Sequence, residues 1–296
     1  MNKTIILSLD SFVKNDPSDQ FSTSTLSYHL EHHHKQIDIP HKHNFYTTVI
    51  FTKGTGTHEI DFEIFNVSRG SIFMLHPGRT HYWKLSEDIE GFIFFHTENF
   101  YNQLFVQNTL PHYPFFASTK NTPCLQLNEQ QTQEFISYFE TLLQEYKGNH
   151  QLKNRKIHIF IDLIYIELTR LIEHQLKKNS PSPQHYSDRL IQLELLIDQH
   201  FVREKSPRKY AEWMNITPKH LNRITRMSVN KTTTQLITER LILEAKRMIS
   251  NPNFQLAQIA EKLGFEDYSY FSKLFKKSTG QTPMEFKKKY EVDFTK

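Results

Sequence analysis

Cysteine is almost missing from this chain of 296 residues, and its one thiol, Cys124, excludes a disulfide framework and a cysteine-rich zinc site. Long apolar runs are missing too, so no segment has the length of a membrane span. The opening MNKTIILSLDSF is too short and turns polar too soon for a signal peptide, and the protein is expected in the cytoplasm. There is no Gly-rich phosphate loop, no G-x-S-x-G and no carboxylate pair set among apolar strands. Neither an enzyme nor a cofactor is therefore expected. What is present is length enough for two domains with separate cores, and a charge that is unevenly spread. Residues 188–296 hold 20 Lys and Arg against 13 Asp and Glu, whereas residues 1–187 hold 16 against 19. A polyanion partner is thus suggested for the C-terminal part alone. By itself the run Lys287-Lys288-Lys289 would be an ordinary solvated helix end.

The charge gains meaning from a repeat. Tyr210-Ala211 falls on Ile259-Ala260 and Met214-Asn215-Ile216 on Leu263-Gly264-Phe265, at an offset of 49. One residue is then added near Asp267, after which Leu221 meets Phe271, Arg223 meets Lys273 and Asn230 meets Gly280 at an offset of 50. A small residue inside one helix, a residue able to adopt positive φ, and a second amphipathic helix are what two crossed helices require. Between the repeats, residues 233–250 fit one helix of about 27 Å, which Pro252 should stop. Such a rod can hold two recognition helices about one duplex turn apart, roughly 34 Å.

The arrangement resembles the AraC/XylS family of bacterial transcription regulators over about residues 190–290, most specifically in IAEKLGFEDYSYFSKLFKKSTGQTPMEFKKKY at 259–290. Asn215 and Asn230 stand where that family usually has Gly, and Asn is the next-best residue for the backbone there. The resemblance implies double-stranded DNA as partner, with Lys219, Asn222 and Arg223 at base-reading positions and Arg226 following on the same helix. Chemically Arg suits guanine and Asn suits adenine. In the second repeat the outward set is Tyr268, Ser269, Tyr270, Ser272 and Lys273, with Phe271 and Leu274 inward and Lys276 and Lys277 placed for phosphate. RNA polymerase is a further candidate partner.

The N-terminal part reads as short strands at 46–52, 57–64, 71–75, 80–85 and 91–95, which argues a barrel or jelly roll. His41-Lys42-His43, GTGTH at 54–58 and RGSIFMLHPGRTHYW at 69–83 resemble the cupin-type ligand-binding domain common in these regulators. Metal-dependent cupins carry imidazole ligands at the positions of His41, His43 and His81, but also a carboxylate shortly after the first pair, and 44–48 offers none. No bound metal is therefore expected, and the histidines are expected to hydrogen-bond at the barrel mouth or to touch a ligand. That ligand is expected to be a small organic effector, held near His41, His43, His81 and Trp83 and walled by Phe51, Phe73 and Phe94. The alternative is that these aromatics pack the barrel shut and that it serves only oligomerisation or a protein partner. His32-His33-His34 reads as a polar loop.

Two helices follow, 129–146 with one apolar stripe and 154–174 apolar nearly all round. The second is expected to bury one side against the barrel and another, through Ile161 or Ile164, against its twin in a homodimer. The expected fold is thus α+β and multidomain. Residues 1–175 form a cupin-like effector-binding and dimerisation domain, 176–187 a Pro/Ser linker, and 188–296 an all-α domain with two helix-turn-helix motifs joined by a long helix.

Overall fold

The computed structural model describes residues 5–9, 20–32, 40–105, 110–116, 123–177, 184–250 and 254–293. They form two compact units, one built from 5–116 with 121–179 and the other from 180–296.

In the N-terminal unit ten strands make two five-stranded sheets. The first holds β1 (Ile5–Leu7), β3 (His41–His43), β8 (Thr80–Leu85), β5 (Gly56–Ile60) and β6 (Glu63–Val67), in that order. The second holds β10 (Cys124–Gln126), β7 (Ser71–Leu75), β4 (Tyr46–Lys53), β9 (Glu90–His96) and β2 (Phe21–Thr25). Among the described residues only β1 and β3 pair in parallel. The expected barrel is thus two facing sheets rather than a closed ring. Alternation along the strands sorts the core. Val49, Phe51, Phe73, Leu75, Ile93 and Phe95 turn toward the first sheet. Tyr46, Ile50, Ile72, Met74 and Phe94 turn the other way, onto a helical layer. That layer contains α3 (Glu129–Lys147) and α4 (Lys153–Lys177), preceded in the chain by the short α1 (Leu26–His32) and α2 (Glu98–Asn102). α3 starts on a reciprocal capping box between Asn128 and Gln131.

The segment 57–64, expected as one strand, is a hairpin. Asp61 and Phe62 adopt φ of +49° and +75°, and Ile60 pairs with Glu63 across them. Nothing local favours Phe in that conformation. The turn is held from outside, because the Asp61 backbone N–H donates to the Thr80 carbonyl at 2.8 Å and the Asp61 carboxylate pairs with Arg79 at 3.7 Å.

The C-terminal unit is helical: α5 (Gln184–His200), α6 (Pro207–Trp213), α7 (Pro218–Val229), α8 (Thr233–Ile249), α9 (Leu256–Lys262), α10 (Tyr268–Thr279) and α11 (Pro283–Asp293). The triplet α6-α7-α8 is repeated as α9-α10-α11. Within each repeat the turn is built alike: Ile216 donates to the Ala211 carbonyl and Phe265 to the Ala260 carbonyl, both at 3.0 Å. Asn215 (φ +52°) and Gly264 (φ +72°) both sit in the left-handed region, as do Asn230 (φ +54°) and Gly280 (φ +79°) at the ends of α7 and α10. Helix α8 packs on α7 before it and on α9, α10 and α11 after it, so one rod carries both repeats. Pro252, His33, His34 and residues 178–183 of the expected linker lie outside the described residues, and α4 and α5 extend over the linker's two ends.

Candidate nucleic-acid interface and candidate ligand site

Helix α7 begins at Thr217, whose hydroxyl accepts from the His220 backbone N–H at 3.2 Å, and Pro218 occupies the first turn. Its underside is fixed by Leu221 and Ile224, both fully buried. Lys219, Arg223 and Arg226 are left exposed on the opposite face. Arg223 stands 3.3 Å from the His220 ring, a neighbour that sequence reasoning did not single out. Asn222 departs from expectation. It is half-buried, and its side-chain oxygen accepts from the Thr233 backbone N–H at 3.2 Å, at the start of α8. Reading adenine uses that oxygen as acceptor and the amide as donor together, and here the oxygen also joins two helices.

Helix α10 is capped by the Asp267 carboxylate, which accepts from the Ser269 backbone N–H at 2.7 Å. Phe271 and Phe275 are its fully buried pair, and Leu274, expected inward, is only half-buried. Tyr268, Ser269, Tyr270 and Lys273 are exposed, Tyr270 by 61%, and Ser272 is half-buried. Lys276 and Lys277 are exposed in the last turn, where cations also complement the helix dipole. Both recognition helices therefore present donor-rich faces over an apolar underside.

In the N-terminal unit the strand register gathers the expected ligand residues between the sheets. His41 lies directly opposite His81 in the β3–β8 pairing, and His43 is two residues along the same face. Their ring centroids are 4.3–4.9 Å apart, and all three are buried. His58 Nε2 lies 2.9 Å from His81 Nδ1, and His43 Nδ1 shares a hydrogen bond of 3.2 Å with the Thr47 hydroxyl. Burial, and then the neighbouring His41, hold both His43 and His58 well below the usual imidazole range. Trp83, Phe51 and Phe73 also face inward, but as packing. Phe73 meets Phe51 at 5.8 Å and meets His58 of the opposite sheet at 4.6 Å, and Trp83 meets His58 at 5.2 Å. Of these contacts, that of Phe73 with His58 crosses the sandwich. Phe94 is a second correction: it turns to the helical layer and packs on Phe139 at 5.3 Å.

Sequence reasoning also missed a polar seam on that outer face. Tyr165 of α4, fully buried, shares hydrogen bonds with His96 Nε2 at 2.7 Å and with the Thr48 hydroxyl at 3.3 Å. Burial lowers His96 to about 4 and raises Tyr165 well above the usual phenol range. One turn earlier Asp162 accepts from the hydroxyls of Tyr101, at 2.5 Å, and Tyr113. The available signal was polar residues inside an otherwise apolar helix. Elsewhere in this unit a cavity of about 450 Å³ is lined by Phe21, Phe100, Tyr146 and Ile157 with Gln20, Gln103, Lys153 and Asn154. Among the described residues no helix is long and apolar enough to cross a membrane.

Comparison with known proteins matches residues 25–155 to the AraC-like ligand binding domain and residues 210–289 to a helix-turn-helix domain. The HTH-type transcriptional activator RhaS of Enterobacter sp. (strain 638) is 22% identical over 254 residues, covering 83% of this chain and 86% of that protein. RhaR of Shigella dysenteriae serotype 1 is 22% identical over 257 residues, covering 86% and 88%. Among solved structures, ToxT from Vibrio cholerae aligns over 90% of this chain and 98% of its own, with 13% identity and a TM-score of 0.42.

Proposed function

Since the chain belongs to the AraC family of DNA-binding transcription regulators, we propose that α7 and α10 read one DNA segment, and that the N-terminal unit controls how tightly they hold it. The observation that carries this reading is the duplicated helix-turn-helix with Lys219, Arg223 and Arg226 exposed on one recognition helix and Lys273, Lys276 and Lys277 on the other. A 17-residue α8 is about 25 Å long, which suits adjacent major-groove faces. Arg223→Ala should cost about 1–3 kcal/mol of operator affinity and relax preference at one base pair. The test is a binding titration of the full chain on promoter segments from genes beside its own. Unchanged affinity with unchanged sequence preference would reject the assignment. The protein acts in the cytoplasm on this reading, with RNA polymerase as a further partner.

Support for effector control comes from the match to a ligand-binding domain. The ring contact of Phe73 with His58 between the sheets favours a second reading, in which the N-terminal unit serves only oligomerisation or a protein partner. A compound that both raises the melting temperature and shifts promoter affinity decides for effector control.

Dimerisation is proposed through α4, but not through Ile161 or Ile164, which are both fully buried. The apolar face left is Ile159, half exposed, with the partly buried Leu163 and Ile166 one and two turns on. Ile159→Asp should convert a sedimenting dimer to folded monomer, and a wild-type monomer at high micromolar concentration would sink the idea.

A further inference from the structure

We propose that the N-terminal unit binds one divalent first-row transition-metal ion through His41 and the Nε2 atoms of His43 and His81. The ligand-capable nitrogens of the three lie within 4.8 Å of one another, and all three residues are buried. They converge because the β3–β8 register sets His41 opposite His81, with His43 on the same face. Three imidazoles are a sufficient protein donor set for zinc, cobalt, nickel or copper, with a fourth position left for water or hydroxide. Bonds of 2.0–2.1 Å in a tetrahedron put donor atoms about 3.3 Å apart, so the rings must turn or close in to hold an ion.

The surroundings orient the rings. His43 Nδ1 is engaged by the Thr47 hydroxyl at 3.2 Å and His81 Nδ1 by His58 Nε2 at 2.9 Å, which leaves Nε2 as the ligand atom in each. A metal on His81 Nε2 requires the proton on Nδ1, from where it is donated to His58, as the outer partners of metal-bound imidazoles commonly accept. The carboxylate lacking at 44–48 would be a fourth ligand, a position that water or hydroxide takes in a three-imidazole site, while Thr47 holds His43 from outside. The inference stands apart from organic-effector control.

The test uses the full chain, stripped with a chelator and titrated with Co²⁺ and Zn²⁺. One equivalent of Co²⁺ should give visible ligand-field bands, and the melting temperature should rise with the logarithm of metal concentration. Each of His41→Gln, His43→Gln and His81→Gln should abolish those bands while circular dichroism shows a folded protein. His58→Gln should keep the stoichiometry and weaken binding about 10- to 100-fold. Replacing His32, His33 and His34 together by Ala should change nothing. Folded, stripped wild-type protein that binds no stoichiometric Co²⁺ overturns the proposal. So does loss of the bands in the 32–34 variant, and that control stays decisive should a ligand variant fail to fold.

Discussion

In the C-terminal unit Lys219, Arg223, Arg226 and Lys273 stand exposed on helices whose undersides are Leu221, Ile224, Phe271 and Phe275. In the N-terminal unit the central strand β4 buries polar groups on both its faces, Thr47 toward the histidines and Thr48 toward Tyr165. The two units therefore respond to chemistry in opposite ways. Removing one of these exposed basic side chains from the first should change what the protein binds and leave its stability alone. Removing one from the second strands a buried partner and should cost stability directly.

Acid should expose the contrast most strongly. Folded His96 is held to about 4, against about 6.5 in an unfolded chain, so between these values the unfolded state takes a proton that the folded state refuses. Stability is then unaffected above pH 6.5 and falls as pH drops toward 4, by about 3 kcal/mol from this residue alone. Urea midpoints of the N-terminal transition at pH 7 and 4.5 measure it, and His96→Gln should flatten the dependence in part. Equal midpoints at the two pH values would break the comparison. Tyr165→Phe comes next. It keeps the ring and removes the hydroxyl from His96 and Thr48, which should cost about 1–3 kcal/mol in the same assay. Smallest in stability, under about 1 kcal/mol, is Lys276→Ala with Lys277→Ala. Its effect should appear on DNA instead, as weaker binding to all sequences and a salt slope reduced by about 1.8 if both touch phosphate. An unaltered slope with changed base preference would show that the two lysines read bases and not phosphate.

The helical unit was legible because its signals are local. A 3.6-residue stripe and four turn positions filled by Asn215, Asn230, Gly264 and Gly280 specify two crossed helix pairs without reference to distant residues. Asn222 escaped because its partner, the start of α8, is eleven residues away and its commitment is a single hydrogen bond. In the N-terminal unit the strands at 71–75 and 80–85 were read at their observed bounds, but β1, β2, β3 and β10 were not found. The second sheet is covered on both sides, by the first sheet and by helices, so both faces read as apolar. Alternation could then separate Phe94 from Phe51 and Phe73 only once one inward residue was known. The hairpin at Asp61-Phe62 was hidden for the opposite reason: a contact with Arg79 and Thr80, not turn chemistry, selects it.

Helix α4 carries a consequence of its own. His158, Asp162 and Tyr165 fall on one stripe and bond respectively to the Phe100 carbonyl, to Tyr101 and Tyr113, and to His96 and Thr48. Apolar contacts alone would let a helix slide or tilt by small steps, since they are indifferent to register. Successive turns, each with its own partners, allow one seat only. Amide protons of α4, β4 and β9 should accordingly exchange with solvent in a single concerted opening, with the helix and the sandwich behaving as one cooperative block.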